Sequence, residues 1–217
     1  GFESLSASSG MDPVLLNQTR NDVWQRFVRD SSSVGFLKYS LPYPKSKVYL
    51  LNNDVRLSIA KRLLDAGFPE KSIDWIENVS ERDTGNEGRL LRAEAFLQMG
   101  QPREAEILAI GLQSDEAQRL RARARSALAD HEFAAQMYQT LDEVDLAARQ
   151  KWLSQKIDGP ADLEVLPYGD AASSLLSQDR SDIPDEVSLE SVSRIFDQSL
   201  KTRQAVEEIL RKTQIQN

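Results

Sequence analysis

The chain has 217 residues, of which 40% are hydrophobic and 28% are charged, and it contains no cysteine. This length can bury a substantial core, and the composition is too apolar for a chain that is disordered throughout. The net charge of −7 opposes binding to nucleic acid, and the lack of cysteine excludes disulfides, zinc–thiolate sites and thiol catalysis. No apolar run is long enough to cross a membrane. Abundant Leu and Ala predict a helix-rich protein. The negative net charge makes it acidic, and the lack of a membrane-spanning run predicts that it is soluble.

The start of the chain bears on the compartment. Residue 1 is Gly1, not an initiator Met, and residues 1–10 are mostly small and polar, which predicts a loose arm. This start favours a segment cut from a longer precursor, with a removed secretion signal and a removed N-terminal domain both open. The sequence leaves the compartment unknown, with the cytoplasm and, if a signal was removed, the periplasm or the exterior all open.

The first predicted helix begins at Asp12-Pro13, where Asp is the N-cap and Pro occupies the first helical position, and it continues to about Arg29. A short apolar piece follows and is broken by the two prolines of Leu41–Pro44. The segment Val48–Leu51 is predicted either to be extended or to open the next helix.

From residue 53 the apolar positions follow a helical period, and turn residues divide the helices into pairs. A polar loop is predicted over Ser80–Gly85, and another helix over Asp142–Lys156. The predicted pairs cover residues 53–65 with 69–79, 90–99 with 101–112, and 114–129 with 132–141.

The tail is predicted to hold shorter helices. One lies near Asp170–Ser177, and a polar linker over residues 178–185 follows it. Two more are predicted at Ser188–Gln198 and Leu200–Thr213, with Ser199 as the N-cap of the second.

The helix pairs share one spacing of small residues: a small residue, then Gly or Ala seven positions later, then a small residue five positions after that. Small side chains are needed where two antiparallel helices cross closely, and a tight turn favours Gly because Gly accepts positive φ. The matching sets are Ala60, Gly67 and Ser72; Ala93, Gly100 and Ala105; and Ala122, Ala129 and Ala134.

This pattern resembles the tetratricopeptide repeat (TPR) family over roughly residues 53–141. The matching stretches are RLSIAKRLLDAGFPEKSIDWI and RLLRAEAFLQMGQPREAEILA, with RARARSALADHEFAAQMYQTL a weaker third. The chain departs from the family where Arg56 and Arg89 occupy the early bulky position. Another all-α array with the same packing rule is the alternative.

The resemblance implies an all-α fold, a right-handed array of antiparallel helical hairpins forming a TPR-like α-solenoid with capping helices at both ends. Residues 1–52 are then the arm and N-terminal cap, residues 53–158 the repeats and residues 159–217 the C-terminal caps, in one continuous unit. Terminal repeats need such caps because they otherwise expose apolar faces.

Nothing in the sequence points to catalysis, a metal or a cofactor. The single histidine, His131, sits between two acidic residues at a predicted turn, which favours a solvent-exposed loop histidine over a catalytic base. One histidine without cysteine leaves almost no ligands for a transition metal. No phosphate-binding loop, dinucleotide fingerprint or nucleophile elbow is present.

The candidate binding residues are cationic. Arg119 and Arg123 share one side of a predicted helix that, in a TPR-like hairpin, lines the concave groove, and Lys61 adds a third cation from the first repeat. Two arginines suit an acidic peptide or a terminal carboxylate. The alternative is that these arginines pair with Glu and Asp on neighbouring helices.

These observations predict a non-catalytic scaffold that binds a protein or peptide partner in a TPR-like groove. The alternative is a structural or self-assembly subunit of a larger complex, whose groove is filled by its own C-terminal helices. A hydrolase with an unrecognised site is a distant third.

Overall fold

A computed structural model describes residues 12–77, 79, 81–154, 166, 169–176 and 189–214. Over these residues the chain is all-α and has no strand, as the composition predicts. The predicted arm, the helix end beyond residue 154 and the linker at 178–185 lie outside the described residues. The helices are α1 (Pro13–Asp30), α2 (Ser33–Ser40), α3 (Lys45–Val48), α4 (Asn53–Asp65), α5 (Pro69–Ile76), α6 (Glu81–Gln98), α7 (Pro102–Ala109), α8 (Asp115–Ala127), α9 (His131–Thr140), α10 (Val144–Leu153), α11 (Gly169–Leu176) and α12 (Leu189–Gln214).

The chain divides into two compact units, Gly1–Leu128 and Ala129–Asn217. The first unit holds α1 to α8, so the predicted N-terminal cap belongs to the same unit as the first two hairpins. The second holds α9 to α12. The predicted third hairpin, α8 with α9, has one helix in each unit and stays a prediction.

The start of α1 follows its sequence signals. The side chain of Asp12 accepts a hydrogen bond from the backbone N–H of Val14 at 2.9 Å, and Pro13 is the first helical residue. Trp24 on this helix is fully buried and meets Trp75 of α5 edge to face, with ring centroids 5.5 Å apart. Tyr43 stacks on Trp75 at 5.2 Å, so the proline-containing connector is held in the same core.

Between α1 and α4 the structure adds two helices that were not predicted. The apolar piece after α1 is a helix, because the hydroxyl of Ser32 caps it by accepting from the N–H of Gly35. This helix buries Phe36 in the same hydrophobic cluster as Trp24 and Trp75. The segment Val48–Leu51, predicted either to be extended or to open the next helix, does neither, because it begins at the end of α3, a single helical turn that buries Val48.

Two further corrections concern α6 and α12. Residues 81–85 of the predicted polar loop form the first turn of α6, and this helix is interrupted where Gly85 adopts φ 55° and ψ −148°. Ser80 lies outside the described residues. The two predicted tail helices are one helix of 26 residues that runs through Ser199. No Gly or Pro lies between Leu189 and Gln214, so nothing in that stretch ends the helix.

The hairpins α4/α5 and α6/α7 are built alike. Gly67 and Gly100 end their first helices with φ of 82° and 73°, and the residue after each donates a 2.9 Å hydrogen bond to a carbonyl five positions back. This is the Schellman motif that ends many helices. Ala129, aligned with these glycines in the repeat, also has positive φ, at 62°. Ala93 and Ala105 are fully buried in one cluster, as their predicted place at a close crossing requires.

Successive hairpins in the first unit pack on each other. Helix α6 contacts both α4 and α5, and α8 contacts both α6 and α7. The helices α4, α6 and α8 are therefore neighbours in one layer, called here the A-helix layer. Their apolar residues fill two clusters beneath that layer.

In the second unit, α9 and α10 form a hairpin whose turn places Asp142 at φ 59°. Helix α11 contacts α12. Ala148, Leu166 and Ala172 form the buried cluster, against which Trp152 and Ile209 pack. The tail helix is thus held to its unit through one of its faces.

Candidate functional site

The A-helix layer carries one charged residue at the same distance from the following turn on each helix. Lys61, Glu94 and Arg123 each lie six residues before the residue with positive φ that follows their helix. Their shared register defines a charged row of alternating sign across α4, α6 and α8.

Arg123 and Glu94 form a bidentate ion pair. The two terminal nitrogens of Arg123 donate to the two carboxylate oxygens of Glu94 at 2.8 and 2.9 Å. The Arg123 side chain remains 49% exposed and the Glu94 side chain 25% exposed. This fork geometry is the strongest arrangement for a guanidinium and a carboxylate, but solvent screens a pair this exposed.

The other two predicted site residues lie on helices of the same layer. Lys61 is exposed on α4, and Arg119 is exposed on α8 one turn before Arg123. Arg125, on another side of α8, donates from Nε to Glu106 of α7 at 2.6 Å. Arg123 and Arg125 each bond a carboxylate on a neighbouring helix, as the alternative interpretation expects.

Glu94 was not singled out from the sequence, although a signal was present. It falls at the position of Lys61 in the second repeat, 33 residues later, and this is also the interval between Gly67 and Gly100. Aligning the repeats by their turns places Glu94 between the two cations. The predicted cationic groove is thus a row of mixed charge.

The arginines at the early bulky position have a structural role. Arg56 is 6% exposed, and its Nε donates to the carbonyl of Trp75 at 2.8 Å. Arg89 donates from Nη2 to the carbonyls of Leu108 and Ile110 at 2.8 and 3.0 Å. Both reach the end of the second helix of their own hairpin, where backbone carbonyls lack helical partners.

Two more arginines bind the element before their own hairpin. Arg92 on α6 donates to the carbonyls of Ile76 and Val79 at 2.7 and 2.6 Å. Arg62 on α4 donates to backbone carbonyls at the end of α1, and its guanidinium lies 4.4 Å from the ring centroid of Phe36. Burial, and secondarily the charge of Arg92, lower the pKa of Arg56.

His131 was predicted to be a solvent-exposed loop residue, and the structure places it differently. It is the first residue of α9 and half-buried, because the hairpin brings it beside the end of α10. Its Nδ1–H donates to the buried amide oxygen of Gln150 at 2.9 Å. Among the described residues, no group of three His, Cys, Asp or Glu side chains is placed to hold a metal ion.

Comparison with known proteins gives no relative: no family model, curated protein or solved structure matches the chain. Within the described part of the chain, no helix combines the length and the apolar character needed to cross a membrane.

Proposed function

We propose that the chain is a non-catalytic scaffold that binds a protein or peptide across the A-helix layer of a short TPR-like solenoid. The charged row carries the proposal, because three helices from successive repeats present charged side chains in one register. The repeated Schellman turns and the contacts of α6 and α8 with the preceding hairpins support the solenoid.

The charges suggest the chemistry of the partner. Lys61 and Arg119 add exposed positive charge to the layer, and Arg123 has a guanidinium fork that binds the carboxylate of Glu94 in the chain alone. A partner carboxylate at this place competes with Glu94, which makes binding selective for segments with several acidic groups. The proposal assigns no catalytic residue, and the only histidine of the sequence, His131, is hydrogen-bonded to Gln150.

The test is selection of displayed random peptides on the purified chain, followed by affinity measurements by fluorescence anisotropy. Enriched peptides are expected to be acidic and to lose most of their affinity for a variant carrying Arg119→Glu and Arg123→Glu. Arg103→Glu is the matched control, because Arg103 is exposed on α7, outside the A-helix layer. Peptides that bind the double variant as tightly as the wild type would refute the proposed site.

A structural or self-assembly subunit is the second candidate function. It is favoured by α12, on which Phe196 and Leu200 are exposed.

A further inference from the structure

The tail helix α12 has two faces of opposite character. Ala205 is buried and Ile209 packs on the cluster of the second unit, so this face is occupied by the protein itself. On the opposite side, Phe196 is 67% exposed, Leu200 47% and Leu210 54%. Large apolar side chains grouped on one exposed helix face mark an interaction surface.

The exposed face has the spacing of a coiled coil. The residues at positions 196, 200, 203, 207 and 210 follow one another at intervals of four and three, which is the spacing of positions a and d in a heptad. Ile195 and Val206, also exposed, border the same face. We call this face the seam, and its residues are Phe196, Leu200, Arg203, Glu207 and Leu210.

We propose that a second copy of this chain covers the seam by packing its own α12 against it in the antiparallel direction. This inference goes beyond the proposed peptide site and does not depend on it. In this arrangement Leu200 faces Leu210 of the second copy, and Arg203 faces Glu207 of the second copy. The same contacts recur on the other side of the two-fold axis, so the surface is its own complement.

The charges in the middle of the seam select the direction. Arg203 and Glu207 bond within the helix at 2.9 Å, and both side chains are exposed. A parallel pair of helices would place Arg203 against Arg203 and Glu207 against Glu207, whereas the antiparallel pair alternates the charges across the axis. Polar residues at seam positions fix register and direction in this way.

The first test is sedimentation equilibrium of the full chain from micromolar to near-millimolar concentration, where we expect a monomer–dimer equilibrium. Arg203→Glu places four like charges at the centre and should raise the dissociation constant about 100-fold. Adding Glu207→Arg restores alternation and should restore dimerisation. Lys201→Glu makes the same charge change outside the seam and should leave the dissociation constant within about twofold.

The second test uses the absence of cysteine in the chain. A mixture of Leu200→Cys and Leu210→Cys chains should form the mixed disulfide on oxidation. Leu200→Cys alone should not, because its two sulfurs would lie about 15 Å apart along the antiparallel seam. Circular dichroism of each variant checks that the helix content is retained.

A chain that stays monomeric at every concentration would overturn the proposal. Rapid disulfide formation by Leu200→Cys alone would overturn the antiparallel arrangement, and so would a charge-swapped double variant that remains monomeric while keeping its helix content.

Discussion

Arg56 and Arg89 donate equivalent hydrogen bonds in successive hairpins, each to a backbone carbonyl nineteen residues further along the chain. The carbonyls at a helix end carry partial negative charge and have no partner within the helix. A guanidinium gives such a carbonyl both a positive charge and a hydrogen-bond donor. Arginine therefore takes the place that a bulky apolar residue holds in the family that these repeats resemble.

Replacing Arg56 with Met is expected to lower the free energy of unfolding by about 1–3 kcal/mol, because the buried carbonyl of Trp75 loses its donor. Arg89→Met should cost less, since Arg89 is only half-buried and water can reach its carbonyls. Urea unfolding followed by circular dichroism measures both. Arg103→Met is the control, and an equal loss at Arg103 and Arg56 would contradict the capping role.

Ala129→Gly is expected to stabilise the chain by about 0.5–1 kcal/mol, because glycine adopts the positive φ of this position without the steric cost that alanine bears. The same substitution at Ala127, the last residue of α8, should instead destabilise by up to about 1 kcal/mol. Thermal unfolding distinguishes the two signs. A loss of stability for both variants would show that the backbone at residue 129 is not left-handed.

Ser72→Ala should be stabilising by about 1 kcal/mol. Ser72 is fully buried at the close crossing of α4 and α5, and among the described residues its hydroxyl has no hydrogen-bond partner. Ala105 and Ala134 stand at the corresponding position of the spacing pattern, so the methyl group is the expected fit. Ser58→Ala on the exposed side of α4 is the comparison and should be nearly neutral. Destabilisation by Ser72→Ala would reveal a hydrogen bond to this hydroxyl.

Stability at alkaline pH should depend on Tyr43. Burial raises the pKa of its phenol, so the folded state keeps the proton at pH values where the unfolded state releases it. The free energy of unfolding therefore falls as pH rises above about 10, the ordinary tyrosine pKa, and Tyr43 contributes no slope well below it. Urea midpoints between pH 8 and pH 11 should fall less steeply for Tyr43→Phe. Parallel curves for the two proteins would contradict this assignment.

Features of the fold that depend on neighbouring residues in the sequence were predicted, whereas contacts between residues far apart in the sequence were not. The ends of α4 and α6 were predicted because Gly67 and Gly100 determine them locally. The partners of Arg56 and Arg89 were not, since these carbonyls come close only when the hairpin closes. The break at Ser199 was wrong because a capping residue alone does not end a helix.

The candidate site shows the same limit. Lys61, Arg119 and Arg123 were identified by charge and helical spacing, both of which are local. The bidentate bond between Arg123 and Glu94 joins different repeats, and it depends on how α6 and α8 pack. Charge counting therefore found the cations but not the anion between them.

Deleting residues 185–217 removes α12 and should destabilise the second unit, because Ile209 no longer covers the cluster of Ala148, Leu166 and Ala172. We expect a lower melting temperature and aggregation, measured by circular dichroism and light scattering. The alternative function predicts a stable, monomeric truncated chain that binds the tail peptide added in trans. That outcome would contradict the packing role, and loss of binding in the Arg119→Glu, Arg123→Glu variant would place the peptide on the A-helix layer.

The arginines that reach backward along the chain affect how the first unit unfolds. Arg62 holds the end of α1, and Arg92 holds the end of α5. When an earlier element melts, the guanidinium that follows loses its acceptors and its own helix is weakened. This coupling between neighbouring elements should raise the cost of a boundary between folded and unfolded helices. We therefore expect little fraying from one end and a single cooperative unfolding transition for the first unit.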